Sequence, residues 1–184
     1  MKILVLSDCH LYNYYLQKVT QKYKNHVDLM VHCGDSSLKK SDPIMQEYSI
    51  AVLGNHDYDT YPQYQIYQNI CVTHGHLYHV YGGYEELITL CQQNQCQICF
   101  HGHTHVPTHQ IYQGIHFINP GSLMMNRGSY AFGTYAIVDL EESSINVTYY
   151  HHENHEVVDS SLILNEGLQL LEDFKQIIKN KVID

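Results

Sequence analysis

The sequence predicts an α/β sandwich in which two sheets pack together and helices lie outside. Two observations carry this prediction. In the first half, short apolar segments alternate with helical patterns, which is the β-α-β order of a sheet with crossover helices. In the second half, apolar runs are separated by turn signals, which favours antiparallel hairpins. At 184 residues the chain has the length of one domain with a full core, so we expect a single domain over residues 1–184.

Five short apolar segments are each followed by a polar group of Asp, Asn or His. They are too short for helices and suit buried strands. The five predicted strands are Lys2–Leu6, Asp28–Cys33, Ser49–Leu53, Asn69–Thr73 and Gln97–Phe100.

Two hairpins are predicted later in the chain. Residues 109–119 form two short runs around Gln113 and Gly114, which is a turn signal between strands. Thr134–Leu140 and Ser144–His152 form a second pair of runs, with a polar turn between them.

Helical patterns complete the predicted secondary structure. The three predicted helices are Leu11–Lys24, Tyr84–Gln93 and Asn165–Lys181. In the last of these we expect the apolar residues to form one packed face, since they recur at helical spacing. That expected face consists of Leu168, Leu171, Ile177 and Ile178.

Composition excludes several partners. Lysine and arginine total 10 against 19 aspartate and glutamate, a formal net charge of −9, so long nucleic acid is not an expected partner. No apolar run approaches the roughly 20 residues that span a bilayer, and we expect no membrane partner. The six cysteines lie mostly in or beside apolar runs and are expected to be small buried hydrophobes in a reducing, cytoplasmic compartment.

The polar groups that follow the five predicted strands share one chemistry. Each offers carboxylate, carboxamide or imidazole donors, and none relies on cysteine. Ligands of open α/β sheets bind outside the carboxyl ends of the strands, so these groups can converge on one crevice. The donor set suits borderline divalent metals better than calcium or magnesium. The groups are Asp8-Cys9-His10, Gly34-Asp35, Gly54-Asn55-His56-Asp57, His74-Gly75-His76 and Gly102-His103-Thr104-His105.

Taken in order, these groups resemble the signature of the calcineurin-like metallophosphoesterases. That signature is D-x-H, G-D, G-N-H-[DE], a histidine and G-H-x-H, and all five parts occur between Asp8 and His105. The chain length and the NPGS sequence at Asn119–Ser122 are similar to the small YfcE-type phosphodiesterase branch. The resemblance implies a four-layer α/β/β/α sandwich of two mixed sheets flanked by helices.

The resemblance also implies two divalent metal ions, with manganese favoured and nickel, zinc or iron as alternatives. Asp35 would bridge the two ions. Asp8, His10 and His105 would hold the first ion, and Asn55, His74 and His103 the second. His101, which matches no ligand position, is expected only to end its strand.

The implied reaction is hydrolysis of a small phosphodiester by a hydroxide that bridges the two metals. His56 would act as general acid toward the leaving alkoxide, and Asp57 would hold its imidazole oriented. Arg127, the single arginine of the sequence, is a candidate clamp for the phosphate group. His76 is a candidate for contact with the substrate.

Two other functions compete with this one. One retromer subunit of similar fold is a protein-binding scaffold that has lost part of its metal site, but here His56 and the full ligand set are present. A nuclease or phosphomonoesterase could use the same metal centre, although the acidic composition disfavours long polynucleotides. A homo-oligomer is compatible with the sequence, since the closing helix could pack on a second copy.

Overall fold

The computed structural model describes residues 1–10, 13–128 and 131–181. Within these ranges ten strands form two five-stranded sheets, and three α-helices accompany them. No helix in these ranges combines the length and the apolar content needed to cross a bilayer.

The first sheet joins the start of the chain to its later strands. Its strands are β1 (Lys2–Leu6), β2 (Leu29–His32), β3 (Ile50–Ala51), β9 (Thr134–Leu140) and β10 (Ile145–His151). The order is β10-β9-β1-β2-β3. β1, β2 and β3 run parallel, whereas β9 is antiparallel to both β1 and β10. The carboxyl ends of β1, β2 and β3 therefore lie at one edge.

The second sheet contains the central strands of the chain. They are β4 (Tyr64–Tyr67), β5 (Ile70–Thr73), β6 (Ile98–Phe100), β7 (Thr108–Tyr112) and β8 (Ile115–Asn119). The order is β4-β5-β6-β8-β7. β5, β6 and β8 run parallel, and β4 and β7 pair antiparallel with their neighbours. This sheet is mixed, as expected.

The helices are α1 (Asn13–Tyr23), α2 (Glu85–Gln93) and α3 (Ser160–Lys181). α1 packs on the outer face of the first sheet, where Leu16 and Val19 meet Leu4 and Leu6. α2 packs on the outer face of the second sheet. The longer α3 contacts β7 at the edge of that sheet.

Between the sheets lies a buried apolar core to which both contribute. Ile3 and Val5 of β1 face this core, and Leu4 and Leu6 face α1, because successive side chains of a strand point to opposite faces. Ile70 and Phe100 reach the same core from the second sheet. The layers are thus helix, sheet, sheet and helix, and the predicted four-layer α/β/β/α sandwich of two mixed sheets is confirmed.

The predicted strands and both hairpins are confirmed, with β3 shorter than expected, while β4 was not predicted. α1 was predicted from Leu11, but Leu11 and Tyr12 lie outside the described residues. α3 begins at Ser160, five residues before the predicted Asn165.

The predicted packed face of α3 is partly wrong. Leu171 is 6% exposed, as expected, but Ile177 is 51% and Ile178 40% exposed. Apolar side chains near the end of this helix are therefore partly open to solvent.

Candidate metal centre

The loops that follow β1, β2, β3, β5 and β6 meet at one edge of the sandwich. Imidazole nitrogens of His10 and His105 lie 3.4 Å apart, which joins the loops after β1 and β6. The His74 Nε2 atom, after β5, lies 3.4 Å from Asp35 Oδ2 and 3.2 Å from Asn55 Oδ1. Both sheets therefore contribute donors to one place.

Asp8 occupies the centre of this arrangement and is fully buried. Its Oδ2 atom accepts a hydrogen bond from the His103 backbone N–H at 3.1 Å. Its Oδ1 atom receives no hydrogen bond, and the nearest nitrogens are Nε2 of His105 at 3.1 Å and Nε2 of His74 at 3.8 Å. A buried carboxylate oxygen without a donor is costly. A cation at this point would remove that cost, so the residues fit a bound metal.

Four groups of donors within the described residues have the compactness of a metal site, and two of them lie at this edge. In each, the donor atoms lie within 4.8 Å of one another. Asp8 belongs to both of the groups at this edge; the expected sharing of Asp35 by two ions stays a prediction. Oxygen and imidazole donors in this mixture suit manganese, iron, nickel or zinc. The two groups at this edge are Asp8, His10 and His105, and Asp8, Asp35 and His74.

The two remaining predicted ligands lie beside the second group. Asn55 approaches His74 through its amide oxygen, and the ring centroids of His103 and His74 are 5.2 Å apart. All seven predicted ligand residues are thus brought together by the fold.

The backbone at five of these seven residues is in the left-handed region. L-residues adopt this conformation rarely, and each instance costs on the order of 1–3 kcal/mol unless the surroundings enforce it. Aspartate and histidine are among the residues that tolerate it best. The φ values are 55° at Asp8, 51° at His10, 58° at Asp35, 69° at His103 and 57° at His105. Sequence patterns gave no sign of this conformation.

Two glycines allow the loops to approach this closely. A Cβ atom on Gly102 would lie 1.9 Å from Ser7 Oγ and 2.7 Å from Asp8 Oδ2. A Cβ atom on Gly54 would lie 2.0 Å from Asp35 Oδ1. The positions before His103 and Asn55 therefore have no room for a side chain and require glycine.

The NPGS turn fastens two of the loops. The Ser122 hydroxyl donates a hydrogen bond to the Asp8 carbonyl at 2.9 Å. The Asn119 amide donates to the carbonyl of Gly102 at 2.9 Å and to the Thr104 hydroxyl at 3.0 Å. The turn holds the loops after β1 and β6 against each other.

Asp57 has a different position from the one expected. Its carboxylate accepts hydrogen bonds from the backbone N–H groups of Gly54, Asp35 and Ser37, each at 2.8 Å, and from the Ser36 hydroxyl at 3.1 Å. We predicted that it would orient the His56 imidazole. Instead, it ties the loop after β3 to the loop after β2.

The charges at the site favour metal binding. Burial alone would raise the pKa of Asp35, but the neighbouring His74 imidazole outweighs this and holds the Asp35 pKa below its ordinary value. Burial lowers the pKa of His103 to about 4. Asp35 is thus an anionic donor and His103 a neutral one with a free lone pair.

His56, like the neighbouring Asn55, is exposed. Its backbone N–H donates to Asp35 Oδ1 at 2.7 Å. Its imidazole lies edge-on to that of His10, with ring centroids 5.3 Å apart.

A cavity of about 470 Å³ opens over these residues. Arg127 is among its lining residues, and its backbone N–H donates to the His105 carbonyl at 2.9 Å. His76 is not among them, and its ring lies 5.3 Å from that of His74; its contact with substrate stays a prediction. Sequence reasoning missed Tyr81, Phe174 and Ile178. The lining consists of His10, Asp35, Asn55, His56, Tyr81, His103, His105, Arg127, Phe174 and Ile178.

Two other histidine features lie outside this cavity. His101 follows β6 and is fully buried, and its Nε2 atom is 3.2 Å from the Tyr84 hydroxyl. Directly after β10, Nδ1 of His152 lies 2.7 Å from the Leu123 carbonyl, which occupies that nitrogen.

Comparison with known proteins gives three findings. Residues 1–143 match the model of the calcineurin-like phosphoesterase superfamily domain. The chain is 33% identical over 171 residues to the probable metallophosphoesterase YsnB of Bacillus subtilis strain 168, covering 86% of this chain and 96% of that protein. It is 32% identical to a predicted phosphoesterase of Streptococcus pneumoniae TIGR4, whose crystal structure superposes with a TM-score of 0.81 and covers 86% of this chain and 93% of that one.

A more distant structure shares the fold. Zinc-bound Vps29 of Entamoeba histolytica has a TM-score of 0.63 and 20% identity, covering 86% of this chain and 96% of that one.

Proposed function

Because the chain belongs to the calcineurin-like phosphoesterase superfamily, we propose that it is a two-metal phosphodiesterase that hydrolyses a small phosphodiester. The observation that carries the proposal is the pair of donor groups that share the buried Asp8, because His10, His105 and Asp35 of these groups line an open cavity. Few other functions require so many convergent carboxylate and imidazole groups beside a cavity.

Within this proposal Asp35 would take part in both metal sites, as the family resemblance implies. Two divalent cations there would draw charge from the phosphoryl oxygens and acidify a water molecule, which supplies hydroxide near neutral pH. We favour manganese, with nickel, zinc or iron as alternatives. Asp8, His10 and His105 would hold the first cation, Asn55, His74 and His103 would hold the second, and Asp35 would contribute to both.

His56 is the proposed general acid. Its imidazole lines the cavity, where it can reach the leaving group, and its backbone is fixed on Asp35. A histidine is suited to this step because its ordinary pKa is near neutrality. It would donate a proton to the alkoxide oxygen as the phosphorus–oxygen bond breaks.

Arg127 is the proposed phosphate clamp. Among the described residues that line the cavity, it is the one with a permanent positive charge. Its guanidinium can donate two parallel hydrogen bonds to phosphoryl oxygens. In a chain with a net charge of −9, this local cation would help to attract an anionic substrate.

The cytoplasm is the proposed location. All six cysteines are free and buried. Free thiols persist in a reducing compartment.

A protein-interaction scaffold is the second candidate function. It is favoured by the fold shared with Vps29 and by Met124 and Met125, which are exposed beside the site. A scaffold would not require a complete donor set or an imidazole aimed into the cavity, and for this reason we prefer the enzyme.

The test is a metal-dependent assay of the purified protein. Bound metal would be measured, and hydrolysis of bis(p-nitrophenyl) phosphate and p-nitrophenyl phosphate compared with added manganese, nickel, zinc and magnesium. We expect faster hydrolysis of the diester and its loss in Asp35→Asn. Asp139→Asn, at a partly exposed surface pair with Lys2, is the matched control. Hydrolysis with no metal, or full activity of Asp35→Asn, would contradict the proposal.

A further inference from the structure

The cavity over the metal centre has two chemically different sides. One part of the lining carries the imidazole and carboxylate groups described above, whereas Tyr81, Phe174 and Ile178 form a more apolar side. A volume of about 470 Å³ lies within the range of pockets that enclose small organic ligands. The cavity thus has room for an organic group attached to the phosphate, and these three residues are what that group would meet.

The apolar side is attached directly to the metal centre. The Tyr81 hydroxyl donates a hydrogen bond to the His103 carbonyl at 3.1 Å, and its ring lies 5.1 Å from the His103 ring. On its other side the Tyr81 ring is edge-on to Phe174, at 5.3 Å and 79°. The Arg127 guanidinium carbon lies 5.8 Å from the Tyr81 ring centroid. Tyr81 therefore links a candidate metal ligand, the phosphate clamp and α3.

A row of apolar side chains along one side of α3 extends from the protein core to the cavity. Leu171, Phe174 and Ile178 are spaced three and four residues apart, so they lie on the same side of the helix. Leu171 is buried and anchors this side to the body of the protein. Phe174 and Ile178 continue the line over the cavity, where Ile178 remains partly open to solvent.

α3 also lies outside the part of the chain that carries the family resemblance. The family match ends at residue 143, and α3 begins at Ser160. The metal ligands and His56 all lie within the matched part. A helix outside that part, which places aromatic and aliphatic groups over the centre, can select among substrates without changing the reaction.

We infer that Tyr81, Phe174 and Ile178 bind the organic substituent of the substrate, and that the preferred phosphoester carries a flat aromatic or apolar group. This inference rests on the proposed function, because Arg127 and the metal centre would hold the phosphate. Edge and face contacts of the two aromatic rings favour a planar group. A small alkyl ester would leave this side uncovered and bind less tightly.

The experiment measures binding by titration calorimetry on the full-length, manganese-loaded protein. Phenylphosphonate and methylphosphonate are the probes, since neither has an ester bond to break. We expect phenylphosphonate to bind about tenfold more tightly, the order of one aromatic contact. Phe174→Ala should remove most of this preference while changing the methylphosphonate dissociation constant less than about twofold.

Ile177→Ala is the matched control, because Ile177 is the neighbouring exposed residue of α3 and does not line the cavity. It should keep the full preference for the phenyl group. Ile178→Ala is a second variant, whose partly exposed side chain can be shortened with little effect on folding. Tyr81→Phe keeps the ring and should keep the preference as well.

Equal affinity of the wild-type protein for both probes would overturn the inference. An unchanged ratio of the two dissociation constants in both Phe174→Ala and Ile178→Ala would also overturn it. The same holds if these variants lost affinity equally for the two probes. Failure of the proposed function is recognised separately, by the lack of metal-dependent ester hydrolysis in the wild-type protein. If the wild-type protein preferred the phenyl probe but hydrolysed no ester, the assigned binding surface would stand and the proposed enzymatic function would be wrong.

Discussion

The side chain of Asp57 holds the backbone of Asp35, whose N–H group donates to the Asp57 carboxylate at 2.8 Å. The same carboxylate oxygen accepts the N–H of Gly54, at the start of the other loop. Asp57 is therefore a positioning residue: it fixes a metal ligand through the backbone and has no described contact with the His56 imidazole.

Replacing Asp57 by Asn should destabilise the protein and weaken metal binding together. An amide has one acceptor oxygen and would place an NH2 group against backbone donors, so we expect the free energy of unfolding to fall by about 2–3 kcal/mol. Urea unfolding of the metal-free protein measures this loss. Asp59→Asn is the control, because Asp59 accepts backbone N–H groups at an exposed turn and should have a smaller effect. Equal effects of the two substitutions would contradict the positioning role.

Replacing His56 by Ala should slow catalysis and leave the metal in place. The loss of a positioned proton donor lowers kcat by about 100- to 10,000-fold. Steady-state kinetics on a diester and metal analysis of the same preparation test both parts. His79→Ala, at an exposed histidine that contacts Glu86, should retain activity. A His56→Ala protein that lost its metal would assign His56 to ligation instead.

Arg127→Lys should raise KM for a diester more than it lowers kcat. Lysine keeps the charge but cannot donate two parallel hydrogen bonds, and we expect an increase in KM of about tenfold. Metal content should not change, because the described contact of Arg127 with the metal centre is through its backbone N–H. Unchanged kinetics of Arg127→Lys and also of Arg127→Ala would exclude the clamp.

Removal of metal should lower thermal stability. The buried Oδ1 atom of Asp8 has no hydrogen bond, so a cation that binds the folded state satisfies it. At a concentration near one hundred times its dissociation constant, a ligand adds about 2.7 kcal/mol to the free energy of unfolding. Melting curves with manganese and with a chelator measure the difference. In Asp8→Asn that difference should largely vanish, whereas Asp139→Asn should keep it.

Acid should destabilise the hairpin formed by β7 and β8. Burial lowers the pKa of both His109 and His116, whose Nε2 and Nδ1 atoms lie 2.9 Å apart. The unfolded chain therefore binds more protons than the folded one below the ordinary histidine pKa of about 6.5. Their contribution to stability is complete above that pH and is lost as the pH falls toward the lowered pKa values.

Urea unfolding between about pH 5 and pH 8 would measure this dependence. The double variant His109→Gln, His116→Gln should have a shallower slope than the wild-type protein. His79→Gln, at an exposed position, should keep the wild-type slope. An unchanged slope in the double variant would show that other buried histidines account for the effect.

Most of the scaffold could be predicted from the sequence because its strands are short apolar runs with clear ends. Lys2–Leu6 and Ile98–Phe100 are buried along most of their length, so their patterns reflect the core directly. β4 was missed because it is an edge strand whose tyrosines are largely exposed. In such a strand, hydrogen bonds of the backbone decide the structure, and they leave little pattern in the side chains.

The site was predictable in composition and less so in geometry. The donor residues could be named because each follows a strand, and parallel strands bring their carboxyl ends together. The contacts of Asp57 could not be named, since they depend on backbone N–H groups that every residue has. Ile178 was misassigned because helical spacing places residues on one side and does not say what that side faces.

The donors come from loops that belong to different sheets, and His10 and His105 are 95 positions apart in the chain. A bound cation would therefore act as a cross-link of long span, comparable in its effect on the unfolded chain to a disulfide. Unlike a disulfide, a metal cross-link forms without oxidation. It would also be lost whenever a competing chelator removed the ion, so the two sheets would be cross-linked at this edge only while metal was plentiful.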